Sequence, residues 1–166
     1  MTPAVRLELV ATWEPEDGDL RLGRAWLDGR EGDLVYVGRE PYLEGPDGRI
    51  PIPREAYGAA LVEALDALAG EVWGDDWSSA VAELTGINRR STARDRVRKH
   101  GLPPFALAAV VRIAQRPDAR EFAAVVRATA RYLDVHRYVA APAIFDGATR
   151  ALVQLRGLRV INPEHR

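Results

Sequence analysis

At Pro53 the hydrophobic period of the chain changes, and that change sets the fold class. Before it, the chain reads as short strands and turns. "VRLELVATW" (5–13) alternates as a half-buried strand does, and "DLVYVG" followed by "PYLEGPDGRIPIP" reads as strands around a Pro46-Asp47-Gly48 turn. After it, Tyr57, Ala60, Leu61, Ala64, Leu65 and Leu68 stand at helical spacing, with proline suited to the first turn and Gly70 to the position after the last. The expectation is an α+β chain. A small β-rich region (1–53) leads into a connecting amphipathic helix and loop (54–76), a mainly α-helical region (77–140) and a tail (141–166) of helix followed by short strand. The piece "EPEDGDLRLGRAWLDGREGD" carries four glycines without a clear period and reads as turns with one short strand.

Helix punctuation orders the second half. Asp76 or Ser78 can cap a short helix through Leu84, and the next runs from Arg89 to His100, where Gly101 stops it. Pro103 and Pro104 open the almost wholly apolar "FALAAVVRIAQ", which must lie in the core. Asp118 and Glu121 have the spacing of a capping-box-like start for a helix that lines up Phe122, Val125, Val126, Thr129 and Leu133. Arg120, Arg127 and Arg131 fall on another face of it, which reads as solvated.

Charge divides the chain at the same place. Of its 23 Lys+Arg and 24 Asp+Glu, residues 1–76 hold 7 and 17, so the remainder holds 16 and 7. A net charge of -1 therefore conceals an acidic half and a basic half. A basic region attracts polyanions, while an acidic one repels them or pairs with a basic surface, so part of the division can be intramolecular neutralisation. The positive charge is densest from Arg89 to His100, twelve residues with five arginines, one lysine and one histidine.

Just ahead of that cluster stands a turn signature. Ala82 is small where a first helix must let a second cross close, Gly86 suits a positive φ, Ile87 supplies an apolar plug, and Asn88 can cap the second helix. Over residues 77–115 this resembles the helix-turn-helix DNA-binding domains of the phage-repressor and Cro type, including those carried by phages and other mobile elements. The resemblance implies a second helix in the major groove with its N-terminal residues on base edges. Carried over, it puts Asn88, Arg89, Arg90, Ser91 and Arg94 at the duplex, with Arg98 and Lys99 beside them on the helix 89–100. The sequence departs from the family at Thr85, Thr92 and Asp95, which are polar where the usual register is apolar. Because Ala93 and Val97 are the only apolar residues of the second helix, that helix is expected to be rotated or shifted by one residue. Ser91 and Arg94 point outward in either register, whereas Arg89, Arg90 and Lys99 move between groove, phosphate and rim. Asp95 reads as a salt-bridge partner for Lys99, four residues on.

Other chemistries lack their residues. There is no cysteine, and His100, His136 and His165 stand alone without HxxxH or HExxH spacing, so a zinc site is not expected. Phosphate-cradling, dinucleotide and serine-nucleophile motifs are missing, and the carboxylates Glu14, Glu16, Asp17 and Asp19 sit in a glycine-containing turn rather than converging on a metal. A cofactor-free, non-enzymatic protein is expected. It is cytoplasmic by its lack of cysteine, of a signal-type N-terminus and of any long apolar segment, with no membrane partner. The leading expectation is a sequence-specific regulator of transcription that binds double-stranded DNA. The alternative is an interaction or assembly module, a phage packaging adaptor or protein inhibitor, that uses the helix pair for oligomerisation. For the acidic half, whose charge sets it apart from a DNA surface, three uses stay open: homodimerisation, contact with a protein partner, or shielding of the basic half.

Overall fold

A computed structural model describes residues 3–10, 19–136, 143 and 146–154. The chain divides into two compact units, Met1–Arg127 and Ala128–Arg166. In the first, five strands form an antiparallel meander in sequence order: β1 (Val5–Leu9), β2 (Leu20–Leu27), β3 (Arg30–Val37), β4 (Glu40–Gly45) and β5 (Gly48–Pro51). The helices follow: α1 (Arg54–Trp73), a 3₁₀ turn (Gly74–Asp76), α2 (Trp77–Thr85), α3 (Arg89–Thr92), α4 (Arg94–His100), α5 (Pro104–Ala114) and α6 (Ala119–Val135). The α+β class with a β-rich N-terminus is the one the period change implies. Of the second unit, the end of α6 and a helical stretch at 146–154 are described. The strand expected after it, like Trp13 and most of the acidic turn at 14–19, lies outside the described residues.

The region expected to hold turns and one short strand holds β2 and the start of β3. Its alternation is hidden by a bulge: the β2–β3 register shifts between Arg21 and Arg24, so Leu22 and Ala25, three apart, both face the core. Gly23 sits in the bulge at φ 132, where a Cβ would lie 1.9 Å from the Glu8 carbonyl oxygen. The hairpin itself is closed by Asp28-Gly29, both at positive φ (49 and 81), as a two-residue type I′ turn requires. A second two-residue turn joins β3 to β4, with Gly38 at φ 62 in its first position. That geometry leaves Arg39 at the hairpin tip.

One face of the sheet packs on α1, as a β region too small to stand alone requires. Leu7, Leu9, Leu22, Leu34, Tyr36 and Leu43 join Tyr57, Leu61 and Leu65 of α1 in a cluster that continues into α2, α4 and α5. Tyr36 and Tyr57 are buried and hydrogen-bond hydroxyl to hydroxyl, and burial pushes the Tyr57 phenol far above its usual range. Helix α1 runs one turn past its expected stop, because Trp73 packs on the core and the positive-φ cap falls at Gly74 (φ 64) instead of Gly70. Helix α5 is buried through Ala106, Leu107, Val110, Val111 and Ile113, as its apolar sequence demands. Among the described residues no helix is long and apolar enough to cross a membrane.

Candidate nucleic-acid interface

The turn signature has the geometry its residues suggest. Gly86 ends α2 in the left-handed conformation at φ 69, its N–H returning to the Ala82 carbonyl. Ile87 packs against the core, and the Asn88 side chain accepts the Arg90 N–H at 2.8 Å to cap α3. The second helix, however, is not continuous from Arg89 to His100. It breaks at Ala93, whose ψ of 141 is extended, giving a four-residue α3 and a separate α4.

Two causes, one local and one tertiary, act together at the break. Thr92 is fully buried and its hydroxyl donates to the Arg89 carbonyl at 2.9 Å, a bond that competes with helix continuation. Beyond it, α4 docks on α1 at Gly58, where a Cβ would stand 1.7 Å from the Arg98 carbonyl oxygen. In the segment after the bend Val97 is fully buried. The polar departures from the family register are thus accommodated separately: Thr85 returns its hydroxyl to the Val81 carbonyl at 2.6 Å, Thr92 is satisfied within α3, and Asp95 is exposed. The expected Asp95–Lys99 ion pair is not formed among the described residues.

The break sorts the basic residues of α4 onto two flanks. At 100° per residue, Arg94 and Arg98 share one side of buried Val97, and Arg96 and His100 share the other. On the first flank Arg94 is engaged. Its Nε donates to Asp66 Oδ1 at 2.8 Å and its Nη1 to the Asp75 carbonyl at 3.3 Å, with the guanidinium 5.2 Å from the Trp77 ring. The same Asp66 oxygen accepts the indole N–H of fully buried Trp77 at 2.6 Å, so Arg94 belongs to the tie between α1 and α2.

Two further arginines expected on a solvated face are also tied down. Arg127 donates to Glu83 at 2.5 Å and to Asp76 at 2.9 Å with its side chain only 19% exposed, and Arg120 donates to the Glu71 carbonyl at 2.8 Å. Glu83, then burial opposing it, then Asp76 act on the Arg127 guanidinium, whose proton affinity is raised further. Asp66 and Asp76 come from the acidic half, so intramolecular neutralisation accounts for Arg94 and, with Glu83 of the basic half, for Arg127, while Arg120 is held by a backbone carbonyl.

The second flank is different. Arg96 and His100 line a cleft of about 600 Å³ with Arg90 and Ser91 of α3, over apolar Ile87 and Leu102. Arg39, from the β3–β4 hairpin tip, and Arg54, from the start of α1, line the same cleft. Arg54 pairs with Glu40 at 2.6 Å, while Arg39, Arg90, Arg96, Arg98, Lys99 and His100 form no ion pair among the described residues. Arg89 lies on the side of Asp76, whose carboxylate it helps to stabilise. Of the seven residues the sequence singles out, the structure brings Arg90 and Ser91 to the cleft, with Asn88 capping the helix that carries them. Arg98, Lys99 and Arg89 lie elsewhere on the exposed surface, and Arg94 is occupied. Arg39, Arg54 and Arg96 went unnamed. For Arg96 a signal existed, its i,i+4 relation to His100; for the other two, nothing local marks the convergence.

No family model matches the chain. No curated protein and no solved structure matches it either. Among the described residues no group of three or more acidic or histidine side chains is placed to hold a metal ion.

The acid–arginine tie gives the protein a pH dependence of defined sign. The Ser79 hydroxyl, then Arg127, hold the Asp76 carboxyl below its ordinary value, and Arg49, with Arg21, does the same for Glu44. A depressed carboxyl contributes stability above its unfolded pKa of about 4 and loses it as pH falls through the folded value. The expected result is a flat Tm from pH 8 to about 5 and a decline below about 4. Asp76→Asn should lower the Tm at neutral pH and show a smaller acid decline; an identical acid decline in that variant would remove Asp76 from the account.

Proposed function

We propose that the chain is a sequence-specific double-stranded DNA-binding protein that regulates transcription, using the α2–turn–α3 unit and the adjoining α4 to read the major groove. The observation that carries this reading is the sorting of the cations. Acidic-half carboxylates pair with Arg94 and Arg127, whereas Arg90, Arg96, Arg98 and Lys99 of α3 and α4 form no ion pair among the described residues. Like charges gathered on one surface repel one another and favour a polyanion that releases its counterions on contact. The turn geometry at Gly86, Ile87 and Asn88 supports the same reading, since it leaves Arg89, Arg90 and Ser91 exposed at the start of the second helix of the pair.

In this reading Arg90 and Ser91 approach base edges, where an arginine can engage guanine O6 and N7, and Arg98 and Lys99 follow phosphates. Arg89 sits at the rim between the duplex and Asp76. Homodimerisation would match a palindromic operator with half-sites one helical turn, about 34 Å, apart. Selection of bound molecules from a random duplex pool tests the proposal. Enrichment of one motif by the protein, lost in Arg90→Ala/Arg96→Ala, is the expected result, and a two-fold repeat in that motif would establish the dimer. Retention without enrichment would leave a binder of backbone only, and no retention at low salt would refute the proposal.

A further inference from the structure

We infer that the sheet contributes a backbone-phosphate site to this surface: Arg39 at the β3–β4 hairpin tip, together with Arg54, Arg96 and His100, holds a phosphodiester of the DNA. The inference rests on the DNA-binding reading above. It concerns a part of the chain that its own net charge would place away from DNA.

Three distant stretches of sequence converge here. The hairpin tip supplies residue 39, the start of α1 residue 54, and α4 residues 96 and 100, all around one cleft of about 600 Å³. Four arginines in a shared concavity, Arg39, Arg54, Arg90 and Arg96, raise the local potential and concentrate anions, more so because Ile87 and Leu102 provide apolar walls. Guanidinium groups suit this ligand, since their fork of donors matches two phosphate oxygens at once. Arg39 has no ion-pair partner among the described residues. Arg54 has one, Glu40, and both side chains of that pair are more than half exposed (58% and 55%), so a phosphate can replace the carboxylate by exchange in water. The neighbouring Arg90 belongs to the reading segment. A phosphate held by Arg39 would therefore fix the register of α3 on the duplex without carrying sequence information of its own.

Glu40 makes the inference distinctive. It is the carboxylate that competes with DNA for Arg54, so removing its charge should tighten binding where removing most side chains weakens it. The test is a salt titration of binding to the motif selected by the wild-type protein, using Arg39→Ala, Glu40→Gln, Arg90→Ala and Arg30→Ala. Arg30 opens β3 at the end opposite the tip, roughly 25 Å away along the strand. Arg39→Ala is expected to weaken binding about 10-fold on selected and unrelated duplexes alike, and to reduce the slope of log affinity against log salt by about 1. Glu40→Gln is expected to strengthen binding several-fold, and Arg30→Ala to leave it unchanged. If Arg90→Ala weakens binding while Arg39→Ala and Glu40→Gln do not change it, the sheet site is overturned and the DNA reading stands. Equal losses in Arg39→Ala and Arg30→Ala would reduce the effect to bulk charge and also overturn the site. Failure of the wild-type protein to bind any duplex removes both.

Discussion

Gly58→Ala destabilises the folded chain by about 3 kcal/mol, whereas Gly70→Ala, the same change on the same helix, stabilises it by about 1 kcal/mol. Alanine is the better helix former at either position, so propensity alone predicts a gain at both. Packing reverses the sign at Gly58, because its new Cβ would meet the Arg98 carbonyl oxygen at 1.7 Å and α4 would have to retreat by more than an ångström. At Gly70 nothing lies within 4 Å of the added atom, and the propensity gain is unopposed. Denaturant unfolding of the two variants beside the wild type measures both. A retreat of α4 also moves Arg96 and His100 away from α3 and from the hairpin tip, so Gly58→Ala should lose DNA affinity beyond any loss of folded protein. Equal stabilisation by both substitutions would mean that α4 does not cross α1 at Gly58.

Arg90→Ala/Arg96→Ala should lower affinity for the selected duplex by 100-fold or more, while thermal stability changes by less than about 0.5 kcal/mol. Arg94→Ala should behave in the opposite way. Its guanidinium ties Asp66 to the Asp75 carbonyl beside Trp77, so its loss costs about 1 kcal/mol of stability, with a smaller effect on binding. Neighbouring arginines in one sequence cluster are thereby assigned different work: the first pair faces the cleft without carboxylate partners, and the other is occupied within the fold. Binding isotherms and melting curves on the same preparations separate the two effects. Were Arg94→Ala to abolish binding at unchanged stability, the division of labour would be reversed.

How far the sequence carried the structure depends on the range of the interactions involved. The change of period at Pro53, the left-handed Gly86, the Asn88 cap and the stop at Gly101 are local, and each is legible from a few neighbouring residues. Reading 14–33 as turns with one short strand misses the hairpin at Asp28-Gly29, because the bulge at Gly23 breaks the alternation by which its flanks would read as strands. The break at Ala93 was not legible. It depends on α1 offering a glycine, 35 positions earlier, for α4 to dock against. The partners of Arg94 and Arg127 likewise come from elsewhere in the chain, so a reading of α4 and α6 alone leaves both free. The same holds for Arg39 and Arg54, whose approach to α3 and α4 is a product of the sheet packing on α1.

The central claim is that the unneutralised cations of α3 and α4 serve duplex DNA. Its most direct test is the salt dependence of duplex binding by the wild-type protein and by Arg90→Ala/Arg96→Ala. Each phosphate contact contributes about -0.9 to the slope of log affinity against log salt. A steep negative slope for the wild type, shallower by about 1 in the double variant through the lost phosphate contact of Arg96, is the predicted result. No binding at low salt, or a slope that the double variant leaves unchanged, would contradict the account.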